Sequence, residues 1–568
     1  MTATFNLVEE PWIKVIDLDG AEREVSIQDL FANASTLQRL ADPLETANFA
    51  VLRVLLAIMY RAWDSADWQD EDNALDHWEE KWNQDSILDE EVSAYLVAWR
   101  PYFDLRSQET PFFQVPDLHT AKNEWKSLRV LLPDTAEAGA LFTMRTEMAS
   151  ISAAEAARMV IHAAAYDFSG IKSGAVGDPR VKGGKGYPMG IGWACWLGGT
   201  TILGDNLRET LLLNYVPFRP TAGSNDLPQW ECAPLPAGPQ ESDLVVAGHP
   251  EQTGTTGQIE LLTWPQRRLR LHWQGERVDG VLVCNGDPVG YTTKHGTETM
   301  TPWRFSDPQT KKAKALVYMP RALDNGRALW RSLDGILPNE AAAKVKSKYA
   351  DGALQFEPAE TVKWVGELVD EGVLPKDKVL RLHVVSMEYG AQSSSFADIV
   401  SDSLSLSSPL LGVEGAMLRS VARQAVSRTD AISKIVSDFQ RDVVFATSGD
   451  STIPTDEAKA RVFSEVDIPF RSWLRNLTDA PEPDAALKSW SGFLRNLAER
   501  LAREILDSQG PAVWTGRWNS TTNRRVTAAG ALSKLNWRLD DLLLSVDEKL
   551  AKPNTEKKVK EEAAHADA

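Results

Sequence analysis

The residues with reactive chemistry to offer are few and scattered. The chain holds eight histidines, and none stands with Glu at the i,i+4 spacing that puts two zinc ligands and a base on one helix face. Cys195, Cys232 and Cys284 are too far apart in sequence to read as a disulfide framework or a zinc knuckle. Gly-Gly-Lys-Gly-Tyr around Lys185 lacks the hydroxyl residue that follows the lysine of a phosphate-binding loop, and no Gly-x-Ser-x-Gly elbow is present. His162, beside the apolar face of a helical segment, reads as a structural residue. One constellation fits bond breaking: Pro116-Asp117 followed by Glu124-Trp125-Lys126 has the residue types of a PD-(D/E)xK nuclease, in which two carboxylates hold magnesium beside a lysine. That chemistry needs its acids on adjoining strands, and here the gap is short and polar, so a charged loop is the simpler reading.

Contact chemistry is better represented. From Tyr166 to Thr200 the chain reads YDFSGIKSGAVGDPRVKGGKGYPMGIGWACWLGGT, with eight glycines in the 23 residues from Gly170 to Gly192 where the chain average would place one or two. Glycine has no Cβ and accepts positive φ, so such crowding serves tight turns or main chain pressed against a ligand. Four cations (Lys172, Arg180, Lys182, Lys185) face two acids (Asp167, Asp178), a local +2 within a chain of net charge −19. A long surface loop and an anion or nucleic-acid contact both fit this island. Two other loops stand out: GYTTKHGTETMTPW, which holds Lys294 at a turn, and MEYGAQSSSFADIV, which places Ala391 and Gln392 in a small polar loop.

Elements that position these loops follow from periodicity. The opening predicts a strand Ile13–Asp17, a turn at Asp19-Gly20, a second strand and a helix entered at Ser26. Leu44 to Trp63 predicts a buried helix; its apolar run carries Arg53 and Arg61 and is too short and too charged to span a bilayer. ALFTMRTE, which contains Phe142, reads as strand or loop, and Ser152 caps a helix that leads into the glycine stretch. LRLHW and GVLVC predict strands in a β-rich region with long connections. Beyond about residue 400, amphipathic helices are predicted at 409–447, 455–477, 484–507 and 521–550, for which an up-down bundle is the economical fold. The fold class expected is therefore α+β: a large mixed α/β domain over 1–400, a four-helix bundle over 401–550, and a disordered charged tail over 551–568.

Nearly all of the net negative charge falls in the first 400 residues. Non-specific nucleic-acid binding rests on broad phosphate neutralisation, so any such contact there must be made by local loops. Residues 401–550 are near neutral and carry fourteen Arg against five Lys. No N-terminal signal pattern is visible, and with unpaired cysteines this fits a reducing cytoplasm.

Taken in order, four blocks resemble the CasA family, the large subunit of the type I-E CRISPR surveillance complex Cascade: FNLVEEPWIKV, FDLRSQETPFFQV (Phe103–Val115), DFSGIKSG (Asp167–Gly174) and EYGAQSS (Glu388–Ser394). The resemblance implies a subunit without catalytic residues, metal or cofactor. Its partners would be other Cascade subunits and CRISPR RNA, double-stranded target DNA, and a separate helicase-nuclease that it recruits, with no membrane. Such a subunit finds the protospacer-adjacent motif on duplex DNA and helps to start strand separation, while base pairing with the guide reads the sequence. Carried over, Ser169 and Gly170, with Lys172 beside them, belong to a loop laid on the minor-groove edge. Lys294 resembles a lysine finger, Ala391 and Gln392 a wedge beneath the motif, and Phe142 an aromatic beside a DNA-sensing loop. The shorter wedge, and Ala391 where an amide side chain is expected, depart from the family pattern, as does Ser169 where the family can have Gly. Among the bundle arginines, Arg419, Arg423, Arg500, Arg503, Arg524 and Arg525 are candidates for the displaced strand or for neighbouring subunits.

Overall fold

The computed structural model describes residues 3–64, 71–135, 148–217, 226–240, 245–246, 249–255, 257–338, 344–450, 452–478 and 483–544. They form two compact units, Met1–Glu414 and Gly415–Ala568.

The first unit begins as the sequence suggests. Strand β1 (Ile13–Asp17) pairs antiparallel with β2 (Glu22–Val25). Helix α1 (Ile27–Asn33) is capped by Ser26, whose Oγ accepts from the Asp29 N–H at 3.0 Å. Strand β3 (Leu37–Leu40) then pairs with the other edge of β1. Helix α2 (Glu45–Ala62) is apolar on nearly every side and is buried accordingly. Its one central cation, Arg53, is 2% exposed and is matched by Glu298 at 2.9 Å. Helix α3 (Ala153–Tyr166) packs on α2, and Ser152 Oγ accepts from the Glu155 N–H at 3.1 Å.

Seven further strands position the loops of interest: β4 (Lys172–Ser173), β5 (Lys185–Gly186), β6 (Gly199–Leu203), β7 (Arg267–Gln274), β8 (Arg277–Asn285), β9 (Val379–Tyr389) and β10 (Phe396–Ser407). One sheet has the order β5-β4-β8-β7; β7 and β8 form an antiparallel hairpin, and β4 joins β8 in parallel at Ser173 and Cys284. Another has the order β10-β9-β6, all antiparallel. The long β9–β10 hairpin ends in the Ala391–Ser394 turn.

The second unit consists of α4 (Ala416–Ser448), α5 (Asp456–Arg475), α6 (Pro483–Asp507), a short hairpin of β11 (Arg517–Asn519) and β12 (Arg524–Val526), and α7 (Ala528–Leu543). Helix α4 packs against each of the other three long helices, with Ile432, Val436, Val462, Leu494 and Leu535 among the buried residues. Within that interior the Trp490 indole donates to Thr429 Oγ1 at 3.1 Å.

The structure differs from the sequence-based boundaries at three places. The units divide after Glu414, because β10 runs through residue 400 and belongs to the first unit. The first long helix starts at Ala416 instead of 409, since Ser408–Leu410 forms a single tight turn around Pro409. Residues 521–526, read as the start of the last helix, instead complete a hairpin with 517–519. Phe142, the ALFTMRTE segment and the tail 551–568 lie outside the described residues. Among the described residues, no helix is long and apolar enough to cross a membrane.

Candidate nucleic-acid interface

The glycine stretch leaves the end of α3 and is fastened to itself. The Gly192 N–H donates to the Asp167 carbonyl at 3.1 Å. A Cβ at Gly192 would lie 2.0 Å from the Ala165 carbonyl oxygen, so only glycine lets the returning chain approach the helix end. Asp167 is buried and anchors the loop. Its Oδ2 meets Lys172 Nζ at 2.6 Å and accepts from the Arg267 guanidinium of β7. Burial alone would raise the Asp167 carboxyl; Lys172 and Arg267 together outweigh it and hold it below the usual carboxylate range. Arg267 also donates to the carbonyls of Phe168 (2.9 Å) and Gly190 (2.8 Å), which clamps both strands of the loop.

Lys172, expected among the DNA contacts, is thus turned inward. Its side chain is 5% exposed, its ammonium lies 3.7 Å from the centre of the Phe168 ring, and burial lowers its pKa against the pull of Asp167. Strand alternation is the reason: Lys172 pairs with buried Gly186, whereas Ser173 pairs with exposed Lys185, so the two lysines face opposite sides of the sheet.

Ser169 and Gly170 are brought against the tip of the β9–β10 hairpin. The Ser169 N–H donates to the Ser393 carbonyl at 2.7 Å, and Ser169 Oγ accepts from the Gly190 N–H at 3.3 Å. At that tip Gln392 and Ser393 hold left-handed φ of 57° and 52°, and Ala391 and Gln392 are exposed. Tyr389, at the end of β9, donates its hydroxyl to the Tyr166 carbonyl (2.7 Å) and meets the Cys195 thiol (2.6 Å). The loop that was expected to read and the turn that was expected to wedge therefore share one hydrogen-bonded framework.

Lys294 stands apart. It is 3% exposed, and its Nζ donates to Thr255 Oγ1 at 3.1 Å. Burial brings its pKa down to about 8, with Glu260 acting in the other direction, so it remains mostly charged at neutral pH. Its carbonyl accepts from the Glu298 N–H at 2.9 Å, and the Glu298 carboxylate receives the Trp193 indole at 2.7 Å. That chain of contacts ties the Lys294 turn to the far end of the glycine stretch without placing Lys294 beside Ser169.

Beside the loop opens a cleft of about 670 Å³ whose lining includes Ile171, Gly183, Lys185, Lys122, Glu124 and Lys126. Glu124 and Lys126 share this wall, but Asp117 lies in an exposed turn and does not line it. Glu124 is spaced between Lys122 (4.0 Å) and Lys126 (3.7 Å). The nuclease reading finds no support in this arrangement, since its acids do not adjoin. Among the described residues no three His, Cys, Asp or Glu side chains group as metal ligands. His162 is buried, with Nε2 3.0 Å from Thr46 Oγ1. In the second unit, Arg419 is buried and Arg500 pairs with Glu465 and with Glu504 (3.2 Å), whereas Arg503, Arg524 and Arg525 are exposed.

A family model for CRISPR-associated protein Cse1 matches residues 6–501. The chain belongs to the Cse1 family. A CRISPR-associated protein CasA/Cse1 from Thermus thermophilus is 31% identical over 383 residues, which is 65% of this chain and 65% of that relative, so the match spans just under two thirds of the relative's length. The crystal structure of Thermobifida fusca Cse1 is similar with a TM-score of 0.84 at 37% identity, covering 95% of this chain and 98% of that one. A chain of a CRISPR RNA-guided surveillance complex shares the fold at a TM-score of 0.68 and 16% identity, covering 95% of this chain and all of that one (100%).

Arg267, Ser393, Tyr389 and Ile171 carry the site and were not singled out from sequence. Tyr389 and Ser393 lie within the EYGAQSS block, and Ile171, 58% exposed in the middle of DFSGIKSG, is an apolar residue in a polar loop; each offered a signal. Arg267 offered none, because an arginine in RRLRLHW looks like any solvated strand residue.

Proposed function

We propose that this chain is the non-catalytic large subunit of a CRISPR RNA-guided surveillance complex, which recognises a protospacer-adjacent motif on double-stranded DNA, helps to start strand separation and recruits a helicase-nuclease. The observation that carries the reading is the 2.7 Å hydrogen bond from Ser169 to Ser393, which holds a glycine-rich loop beside an exposed hairpin tip. Ser169 and Gly170 present main chain to the minor groove, where bulk would prevent approach. Ala391 and Gln392, next to them, enter beneath the motif and hold the first pair open; stacking of roughly 1.4 kcal/mol per step makes that opening modest in cost. Lys172 acts by holding the loop, and Lys294 contributes charge once it swings from Thr255. The second unit, read as a four-helix bundle, meets neighbouring subunits, the guide RNA assembly and the displaced strand through its exposed arginines.

The test uses the full chain assembled with its guide-RNA complex and duplexes with and without the motif. Lys294→Ala and Gly170→Asp are expected to weaken binding to the motif-bearing duplex while assembly is unchanged. Wild-type affinity in both variants at matched salt would overturn the reading.

A further inference from the structure

The second half of the glycine stretch forms a hairpin of its own. Lys182 and Lys185 exchange main-chain hydrogen bonds at 3.1 Å in both directions around Gly183 and Gly184. Both glycines have positive φ, 59° and 71°, the two-residue turn that matches the twist of a tight hairpin. Residues directly opposite in such a pair project to the same face, so two ammonium groups are set side by side. Like charges in that position are destabilising unless something negative lies between them.

Nothing on the loop neutralises them. Its two acids are already occupied, Asp167 by Lys172 and Arg267, and Asp178 by Arg180 at 2.9 Å. The local excess of +2 therefore resides on Lys182 and Lys185, both exposed and neither in an ion pair among the described residues. Lys122 and Lys126 line the same 670 Å³ cleft as Lys185, with Glu124, 4.0 and 3.7 Å from them, as the one carboxylate in the lining. Both walls are anchored to the same sheet, through bridges from Thr120 to Ala175 and from Lys126 to Val281. The cleft is thus a cationic trough beside Ile171 and the reading loop, in a chain of net charge −19.

We infer that the Lys182–Lys185 hairpin and the cleft-lining Lys122 and Lys126 form a phosphate-tracking site that grips the backbone of duplex DNA next to the motif, independent of base sequence. The inference rests on the proposed function and adds a second element to it: the Asp167–Gly170 loop reads, and the hairpin holds. Lysine suits this task, as a point charge that takes phosphate oxygens without demanding one orientation.

The test measures affinity of the assembled complex for motif-bearing and motif-lacking duplexes across a salt series, comparing wild type, Lys182→Ala/Lys185→Ala and Lys122→Ala/Lys126→Ala. Each phosphate contact contributes about 0.9 to the slope of log affinity against log salt, so losing two should flatten the slope by about 1.8. Between about 50 and about 200 mM salt, that makes the variants roughly 12-fold less salt-sensitive. The same flattening on both duplexes is the expected result. Flattening confined to the motif-bearing duplex would overturn the inference, by making these lysines motif readers. So would loss of guide RNA with an unchanged duplex slope, which assigns the trough to RNA. Binding of tripolyphosphate that depends on the lysines, with duplex slopes unchanged, would overturn it in favour of a free polyanion. Wild-type slopes in both variants, when the wild-type complex still discriminates the motif, sink the inference alone; a wild-type complex that does not discriminate sinks the proposed function beneath it.

Discussion

Asp167→Asn removes the one carboxylate that two buried cations share, and the structure says which cation is stranded. Arg267 keeps the carbonyls of Phe168 and Gly190. Lys172 keeps only the face of the Phe168 ring, 3.7 Å away, worth about 0.5–2 kcal/mol. Breaking a buried pair by removing one partner costs about 3–5 kcal/mol, because the other charge stays desolvated and uncompensated. Asp167→Asn should therefore destabilise the first unit by about 3–4 kcal/mol. Lys172→Met should cost less, about 1–2 kcal/mol, since Asp167 retains Arg267. The double variant should be more stable than Asp167→Asn alone, because it removes the stranded ammonium. Urea denaturation of the full chain at neutral pH, followed by tryptophan fluorescence, gives the midpoints. An Asp167→Asn midpoint within about 1 kcal/mol of wild type, or a double variant in which the two losses simply add, would refute the reasoning. In binding assays Asp167→Asn should lose motif discrimination, as the loop that it anchors loosens.

Two further outcomes follow from named contacts. Burial holds the His162 pKa down to about 4 from an ordinary 6.5, so the native state keeps it neutral. Above pH 6.5 it makes no difference to stability; as pH falls from there to 4 the unfolded chain takes up a proton that the native state refuses, and stability drops by about 1.4 kcal/mol per pH unit, roughly 3 kcal/mol in all. A stability profile that is no shallower over that window in His162→Gln than in wild type would contradict this. Gly192→Ala sets a Cβ 2.0 Å from the Ala165 carbonyl, with main chain on both sides, and should cost about 3 kcal/mol or more. Gly183→Ala, with open space around it but φ of +59°, should cost only about 1–2 kcal/mol, and thermal melts separate the two.

Local signals in the sequence were legible where a single residue decides an element's end. Ser26 and Ser152 announced their helices, and the alternation in LRLHW and GVLVC announced β7 and β8. What escaped was decided by long-range pairing. Strands β4 and β5 are two residues each, too short to show a period, so nothing local distinguishes buried Lys172 from exposed Lys185. The same holds for β11 and β12, three residues each, whose Arg-rich text resembles a solvated helix face. Lys294 looked like a surface lysine because the partner of its buried ammonium, Thr255, is 39 residues away. The bounds of the first unit were misjudged because composition changes near residue 400, while the β9–β10 hairpin carries the chain further before the helices begin.

The Lys182–Lys185 hairpin has one more consequence, for how the protein meets a polyanion. A strongly negative body bearing a small positive tip is an electric dipole, and DNA repels it in most orientations. A field of that shape exerts a torque at a distance and turns the tip toward the duplex before any atom touches. Collisions in other orientations are pushed apart instead of being trapped in unproductive contact. An acidic chain that presents net positive charge on an exposed turn is thereby aimed as well as attracted, and short-lived mis-docking lets more sites be sampled in a given time.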